Sequence, residues 1–297
     1  MLRGIFAPIP TPFTEDGDVD YRSLERNLNR WAQTDLTGVV VLGSNGEFVY
    51  LSEKEKVEMV RFVREHFPGD RPVIAGTGCE STRATVALTA RAAEAGCDAA
   101  LVLTPHYFKG AMNPGVLKRF FFDVADSAEI PVMLYNMPGN TGLNMPSALV
   151  IELSEHPNIV GIKDSGGNIV QISEIIAGTP DDFSVFAGSG SFLLPALTMG
   201  AVGGTLAVAN IMADECAATL AASEAGDMEK AVALQRNLLK PNAAVTGRFG
   251  IPGLKAAMDM LGFSGGPPRR PMLPLPEESR RELRSVLADA GLDPRGH

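Results

Sequence analysis

The sequence predicts a single (β/α)₈ barrel followed by a helical extension, and three observations support this prediction. Eight short apolar runs rich in Val, Ile and Leu alternate with helical patterns along the chain. Successive runs are spaced by about 20–35 residues, which suits the βα units of a barrel. The chain has 297 residues, a length that one barrel with an extension accounts for.

The eight apolar runs predict the barrel strands. They are short and nearly continuous in apolar residues, as is typical of strands buried on both faces. The first run leads into the segment Pro8-Ile-Pro-Thr-Pro12, where a doubly wound nucleotide-binding sheet would have a GxGxxG turn. The predicted strands are Gly4–Pro10, Gly38–Leu42, Pro72–Gly76, Ala99–Thr104, Pro131–Asn136, Ile159–Lys163, Phe183–Gly188 and Gly203–Ala209.

Capping signals mark the helices between the strands. Asp20 precedes an apolar stripe that includes Leu24 and Trp31, and Ser52 with Glu55 has the spacing of a capping box. A further helix is predicted to begin after Ser81 and to end before Gly96, a residue type common just past a helix end. Other helical patterns cover Pro114–Ser127, Pro146–Ser154, Asn168–Ala177, Ser191–Met199 and Ala213–Ala222.

The pattern changes near residue 226, after which no further strand is predicted. We therefore predict a catalytic barrel over residues 1–225 and a C-terminal helical extension over residues 226–297. The extension contains three helical patterns and a loop rich in Gly and Pro. The helical patterns are Asp227–Leu239, Ala243–Leu261 and Glu277–Ala290, and the loop is Ser264–Pro276.

Composition argues against several classes of function. The formal net charge is −9, aromatic residues make up 6% of the chain, and no block of Lys and Arg occurs, so no nucleic-acid partner is predicted. No apolar run reaches the roughly 18 residues of a membrane span, and the N-terminus lacks a secretory pattern. We predict a cytoplasmic protein without a membrane partner.

Metal and disulfide chemistry have no support in the sequence. The chain has three cysteines without a CxxC spacing, an odd number that argues against a disulfide framework. The four histidines lack the spacing of a metal-binding motif. No metal and no cofactor are predicted.

Polar residues at the ends of the predicted strands are the candidate catalytic groups, because barrel active sites form there. Lys163 ends the sixth run, where an ammonium group is costly to desolvate. A neutral lysine amine is a nucleophile that forms a Schiff base with a ketone. The alternative is a strand-end lysine that reaches solvent or pairs with Asp164.

Two other strand ends carry polar groups of interest. Tyr135 ends the fifth run and is able to transfer a proton, although a lone tyrosine there is commonly a core residue. Ser44 and Asn45 lie between two glycines, where backbone N–H groups and side-chain donors suit a carboxylate. The alternative is an ordinary βα turn that Glu47 caps or anchors.

Together these motifs resemble those of a known family. The chain contains Gly43-x-x-Gly46-Glu47, Tyr135-Asn-x-Pro138, Gly161-x-Lys-Asp164 and Ala209-Asn210 in this order. Their spacing is similar to that of the dihydrodipicolinate synthase/N-acetylneuraminate lyase family of class I, Schiff-base aldolases. The resemblance implies a (β/α)₈ barrel, a small 2-keto acid bound as an imine, no metal, and usually a homotetramer.

The resemblance also implies roles for individual residues. Lys163 corresponds to the Schiff-base lysine and Tyr135 to the general acid/base. Ser44 and Asn45 stand where the family has a hydroxyl pair that binds the substrate carboxylate and relays protons. Gly188 and Thr205 correspond to pocket-lining positions, and Tyr107 corresponds to a tyrosine that reaches the neighbouring subunit's site.

One departure from the family pattern concerns the second substrate. Dihydrodipicolinate synthases commonly have an arginine that binds the carboxylate of that substrate, and this chain has Asn140 at the same position. Asparagine cannot make the charged, bidentate contact of an arginine. Asn45 likewise replaces the second hydroxyl residue. Both changes argue against the synthesis of dihydrodipicolinate.

Within the family, four segments resemble 4-hydroxy-2-oxoglutarate aldolase, in which Ser165 would also be a pocket residue. We therefore predict cleavage of 4-hydroxy-2-oxoglutarate to pyruvate and glyoxylate. The alternatives are a 2-keto-3-deoxy sugar-acid aldolase or dehydratase, a 4-hydroxy-tetrahydrodipicolinate synthase and, outside enzymes, a keto-acid-binding barrel. The four segments are Gly43–Phe48, Gly76–Thr82, Lys163–Gly167 and Pro241–Lys255.

Overall fold

The computed structural model describes residues 2–294, and these form a closed barrel of parallel strands surrounded by helices. Neighbouring strands pair in sequence order, and the first strand closes the barrel by pairing with the eighth. The predicted (β/α)₈ barrel with a helical C-terminal part is confirmed. The strands are β1 (Gly4–Pro8), β2 (Gly38–Val41), β3 (Val73–Gly76), β4 (Ala99–Leu103), β5 (Val132–Asn136), β6 (Ile159–Asp164), β7 (Ser184–Ala187) and β8 (Gly203–Thr205).

All eight predicted strands are present, and the last is shorter than predicted. The strand predicted to reach Ala209 ends at Thr205, after which Ala207–Asn210 forms a 3₁₀ helix. The buried side-chain amide of Asn210 donates to the carbonyls of Pro8 and Ala207 at 3.0 Å each. These bonds hold the Ala207–Asn210 segment against β1, in a region where a continued strand is predicted from the sequence.

Helices cover the outside of the barrel, and their predicted caps are present. The Asp20 side chain accepts a hydrogen bond from the backbone N–H of Ser23, and Ser52 with Glu55 forms a reciprocal capping box. No described helix is long and apolar enough to cross a membrane. The helices are α1 (Tyr21–Trp31), α2 (Glu53–His66), α3 (Thr82–Glu94), α4 (Pro114–Ser127), α5 (Pro138–Thr141), α6 (Ser147–Leu153), α7 (Ile169–Gly178), α8 (Leu193–Thr198) and α9 (Ala213–Glu224).

Side chains alternate between the barrel interior and the layer beneath the helices, as the period of a strand requires. On β5, Met133 and Tyr135 belong to the interior cluster, whereas Leu134 packs into the outer layer. Lys163 on β6 is the register partner of Tyr135, so both side chains face the interior. The two motif residues therefore meet at the same end of the barrel.

The C-terminal extension is helical, but one predicted helix is interrupted. After α10 (Met228–Ala243) the chain forms a π-helical turn, Ala244–Arg248, before α11 (Gly250–Met260) and α12 (Glu277–Asp289). Gly250 has a φ of 58°, a left-handed conformation that a continuous helix over Ala243–Leu261 does not allow. The boundary at residue 225 stays a prediction, and residues 1 and 295–297 of the two predicted segments lie outside the described part of the chain.

Candidate active site

A cavity of about 340 Å³ opens at the carboxyl ends of the strands, where barrel active sites form. Its walls come from the barrel strands and their loops and from the extension. Lys163 is the single charged residue among the described residues that line it. The lining residues are Pro8, Ser44, Asn45, Tyr135, Met137, Asn140, Lys163, Ser165, Gly188, Thr205, Ala207, Val245, Thr246, Gly247, Gly250 and Ile251.

Lys163 has a buried side chain without an anionic partner. The residue is 4% exposed, and its Nζ lies 4.3 Å from the centre of the Tyr135 ring. Within residues 2–294, no carboxylate forms an ion pair with Lys163, and Asp164 does not pair with it as the alternative supposed. The other fully buried lysine, Lys255, is paired with Glu47 at 2.6 Å. Of these two lysines, only Lys163 presents its amine to the cavity.

Tyr135 lies beside Lys163, and its hydroxyl is 3.4 Å from the Ser44 Oγ. Complete burial opposes the phenolate form, but the Lys163 ammonium and the hydrogen bond with Ser44 together lower the pKa of Tyr135. A phenol with a lowered pKa gives up and regains its proton more readily than a free tyrosine. The arrangement is suited to moving a proton next to the lysine.

The loop after β2 presents Ser44 and Asn45 to the cavity from a tight turn. Residues Ser44–Gly46 form a 3₁₀ turn in which the Glu47 N–H donates to the Ser44 carbonyl at 3.1 Å. The Asn45 side-chain amide donates to the Pro8 carbonyl at 3.3 Å. The turn therefore holds a hydroxyl and an amide beside the Tyr135–Lys163 pair, where a carboxylate has hydrogen-bond donors available.

Asp164 arranges the loop that follows β6. Its fully buried carboxylate accepts hydrogen bonds from Asn136 at 2.8 Å, from the Gly166 N–H at 2.7 Å and from Gln171 at 3.1 Å. These three bonds satisfy the charge without a cation and fix the backbone on either side of Ser165. Asp164 thus positions the loop after β6 without itself lining the cavity.

Ser165 and Thr205 line the cavity, and their hydroxyl oxygens are buried. The Oγ of Ser165 and the Oγ1 of Thr205 are buried, and neither has a hydrogen-bond partner among the described residues. Gly188 lies against Ser165, so closely that a Cβ there would be 2.0 Å from the serine Oγ. Buried polar groups are normally paired, so these two hydroxyls have hydrogen-bonding capacity that the described residues do not use.

The extension supplies one wall of the site, and sequence reasoning did not identify those residues as part of it. Val245, Thr246 and Gly247, which belong to the π-helical turn, line the cavity. The side-chain oxygen of Asn242 accepts from the Gly190 N–H at 3.1 Å and thereby holds the loop after β7. The segment Pro241–Lys255 stood out as unusual in the sequence, which was the available signal, but its distance from Lys163 along the chain hid this role.

The remaining predicted site residue, Tyr107, lies outside the cavity of its own chain. Its side chain is 77% exposed and packs edge-to-face on Phe108, which is 73% exposed. The two rings form an apolar surface beyond the barrel mouth. The contribution of Tyr107 to a neighbouring subunit's site and the homotetramer stay predictions.

Comparison with known proteins identifies the family. The profile of the dihydrodipicolinate synthetase family matches residues 1–290. This chain belongs to that family. As a dihydrodipicolinate synthetase family member, it is an enzyme of the class I, Schiff-base aldolase type, which confirms the predicted family and enzyme class.

Two curated relatives in the family share the name 4-hydroxy-tetrahydrodipicolinate synthase. The relative from Methanothrix thermoacetophila is 38% identical over 288 residues, which cover 97% of this chain and 96% of that protein. The relative from Methanoculleus marisnigri is 38% identical over 294 residues, covering 98% and 100%. These names support the synthase alternative better than the 4-hydroxy-2-oxoglutarate aldolase prediction.

Solved structures of the family show the same architecture. Dihydrodipicolinate synthase DapA-2 from Bacillus anthracis superposes with a TM-score of 0.91 at 35% identity, covering 96% of this chain and 97% of that one. The Acinetobacter baumannii dihydrodipicolinate synthase, solved in complex with pyruvate, gives a TM-score of 0.94 at 30% identity, covering 98% and 100%. The barrel and the extension therefore belong to one shared family architecture.

Proposed function

We propose that the enzyme cleaves a 4-hydroxy-2-keto acid to pyruvate and an aldehyde through a Schiff base on Lys163, with 4-hydroxy-2-oxoglutarate as its substrate. The observation that carries this proposal is the buried Lys163 amine, which faces the cavity and has no carboxylate partner among the described residues. Simple binding of a keto acid does not require such a nucleophile. The Acinetobacter baumannii relative was solved in complex with pyruvate, which supports pyruvate as the keto-acid product.

The first half of the reaction forms the imine. Ser44, Asn45 and the neighbouring backbone N–H groups hold the C1 carboxylate, so that C2 lies near the Lys163 Nζ. The amine attacks C2, the carbonyl oxygen receives protons with the help of Tyr135, and water leaves. The product is a protonated imine that withdraws electrons from C3.

The second half of the reaction breaks the C3–C4 bond. Tyr135 accepts the proton of the C4 hydroxyl, and the electron pair of the C3–C4 bond moves toward the imine to form an enamine. The fragment that contains C4 leaves as an aldehyde, which is glyoxylate for this substrate. Protonation at C3 and attack of water on C2 then release pyruvate and restore the Lys163 amine.

We assign the second carboxylate of the substrate to the hydroxyls of Ser165 and Thr205. That carboxylate is bonded directly to the carbon that becomes the aldehyde, so it stays close to Lys163. Ser165 and Thr205 line the cavity, and their hydroxyls, which lack hydrogen-bond partners among the described residues, provide donors for it. Asn140 contributes a neutral amide to the cavity lining, whereas the distant carboxylate of a longer substrate would need a cation.

A second candidate is 4-hydroxy-tetrahydrodipicolinate synthesis, which the names of the relatives favour. It uses the same imine with pyruvate and condenses it with aspartate semialdehyde. Asn140 argues against this candidate, because a neutral amide replaces the arginine that the family commonly uses for the second carboxylate.

Parallel assays distinguish the two candidates. We expect release of glyoxylate and pyruvate from 4-hydroxy-2-oxoglutarate with a kcat/KM at least about tenfold above that for condensation of pyruvate with aspartate semialdehyde. Both assays use one preparation of the wild-type enzyme, with heat-denatured enzyme as the control. A higher kcat/KM for condensation would replace our proposal with the synthase. Activity in neither assay would reject both substrates and direct the search to 2-keto-3-deoxy sugar acids.

Replacing Asn140 by Arg tests whether position 140 selects between the two candidate reactions. We expect Asn140→Arg to raise kcat/KM for the condensation with aspartate semialdehyde by about tenfold, because a bidentate arginine–carboxylate pair replaces a neutral contact. Cleavage of 4-hydroxy-2-oxoglutarate should not improve. Asn140→Met, which adds bulk without charge, is the matched control. Equal condensation rates in the Arg and Met variants would show that position 140 does not select the second substrate.

A further inference from the structure

A fully buried ion pair lies directly behind the turn that carries Ser44 and Asn45. The carboxylate of Glu47, at the end of that turn, is 2.6 Å from the Nζ of Lys255 on α11, and the two side chains are 0% and 1% exposed. Burial lowers the pKa of Lys255, and the Glu47 carboxylate opposes this shift. Neither residue lines the cavity, and neither has a role in the reaction described above.

The pair joins the barrel loop to the extension through several further contacts. The second carboxylate oxygen of Glu47 accepts a hydrogen bond from the backbone N–H of Arg269 at 2.8 Å. Lys255 also donates to the Pro267 carbonyl at 2.9 Å, and its Nζ lies 4.5 Å from the centre of the Phe13 ring. The pair therefore connects the turn after β2 with α11 and with the loop that follows α11.

The backbone of the turn is strained, and the Glu47–Lys255 ion pair restrains the end of the turn at Glu47. Leu42 has a φ of 59° and Glu47 a φ of 56°, and among the described residues these are the only non-glycine residues with a positive φ. They flank the turn on both sides. Strained residues of this kind persist only where the surrounding structure holds them in place.

We propose that Glu47 and Lys255 form a clamp through which the extension positions Ser44 and Asn45 for binding the substrate carboxylate. Glu47 and Lys255 are positioning residues, since they act through the turn and do not touch the substrate. This proposal rests on the proposed function, in which Ser44 and Asn45 bind the keto-acid carboxylate.

The alternative is an ion pair that only stabilises the fold. Buried ion pairs contribute little net stability compared with well-packed apolar residues, because both charges lose their hydration. A neutral pair of similar volume would serve a purely structural purpose equally well. Among the ion pairs of the described residues, only Glu47–Lys255 restrains the left-handed residue at the end of the turn. Loss of this contact removes that restraint.

The test compares the double variant Glu47→Gln/Lys255→Met with the wild type. The double variant removes both charges together, so no unpaired charge stays buried. We expect the pyruvate concentration for half-maximal borohydride trapping to rise about tenfold, the loss expected for one hydrogen bond to a carboxylate. KM for 4-hydroxy-2-oxoglutarate should rise in parallel, with a smaller change in kcat.

Arg30→Met is the matched control, because Arg30 also joins the barrel to the extension. It donates to the carbonyls of Leu261 and Gly262 from α1, away from the Ser44 turn. We expect Arg30→Met to leave half-maximal trapping unchanged. An unchanged trapping concentration in a folded double variant would overturn the clamp. If the double variant does not fold, Glu47→Asp, which keeps the charge and shortens the reach, is measured in the same way and decides the question.

Amide hydrogen exchange separates a failure of the clamp from a failure of the proposed function. The clamp predicts faster exchange in the peptide covering residues 43–47 in the double variant and not in Arg30→Met. This measurement needs no substrate. A wild-type enzyme that traps no pyruvate rejects the proposed function, while the exchange rates still confirm or overturn the clamp.

Discussion

Lys163→Ala is expected to abolish both turnover and the borohydride-trapped adduct with pyruvate. The variant lacks the amine that forms the imine, and the described residues that line the cavity include no second lysine. Without an imine there is no acceptor for the electrons of the C3–C4 bond. We expect kcat to fall at least about 1,000-fold, as is typical when a covalent nucleophile is removed.

Lys163→Arg provides the control for charge. Arginine keeps the positive charge near Tyr135 but does not form an imine, so it should be as inactive as the alanine variant. Mass spectrometry of the trapped wild-type enzyme should place the adduct on Lys163 and leave Lys255 unmodified, because Lys255 is held by Glu47 outside the cavity. Normal turnover by either variant at position 163, or an adduct on another lysine, would refute the mechanism.

Tyr135→Phe is expected to lower kcat by about 10²–10⁴-fold, the usual contribution of a general acid/base. The variant keeps the ring under the Lys163 Nζ and loses only the hydroxyl that meets Ser44. Imine trapping should slow, while the adduct should still form. Steady-state kinetics and the time course of trapping measure the two effects separately.

The pH dependence of kcat/KM offers a second readout for Tyr135. Because the Lys163 ammonium and Ser44 outweigh burial, the pKa of Tyr135 is lower than that of a free tyrosine. The phenolate therefore becomes available at a lower pH, and kcat/KM, which reports the free enzyme, should rise with pH through that lowered pKa. The rise should be absent in Tyr135→Phe.

Tyr21→Phe is the matched control for the tyrosine substitution. Burial and the nearby Glu58 raise the pKa of Tyr21 to about 12, and its hydroxyl lies 3.5 Å from Glu58 outside the cavity. This variant should keep kcat and the pH dependence of kcat/KM. If Tyr135→Phe behaved like Tyr21→Phe, another group would have to move the proton.

Local sequence patterns were sufficient to predict the barrel and, together with the family resemblance, half of the residues that line the cavity. Each strand has its own apolar run, and each cap depends on residues three or four positions apart, as in the Ser52–Glu55 box. Lys163, Tyr135 and Ser44 were recognised because parallel strands carry their carboxyl ends to one side of a barrel. A polar residue that ends an apolar run is therefore expected at the end of the barrel where the active site forms.

The same local patterns failed where structure depends on a neighbouring segment. The strand predicted to continue to Ala209 ends at Thr205, because Asn210 bonds to β1. The helix predicted over Ala243–Leu261 is interrupted at Gly250 by a left-handed residue. In both cases an apolar pattern continued past the point where the backbone changes direction.

The sequence by itself determined the fold class, the order of the motifs and the identity of the candidate nucleophile, because these follow from periodicity and from position within a strand. Only the tertiary structure decided that Lys163 has no anionic partner among the described residues, whereas Lys255 is paired with Glu47. It also decided that the π-helical turn Ala244–Arg248 forms a wall of the cavity. Contacts between residues about 200 positions apart depend on closure of the barrel and packing of the extension, and no local pattern encodes them.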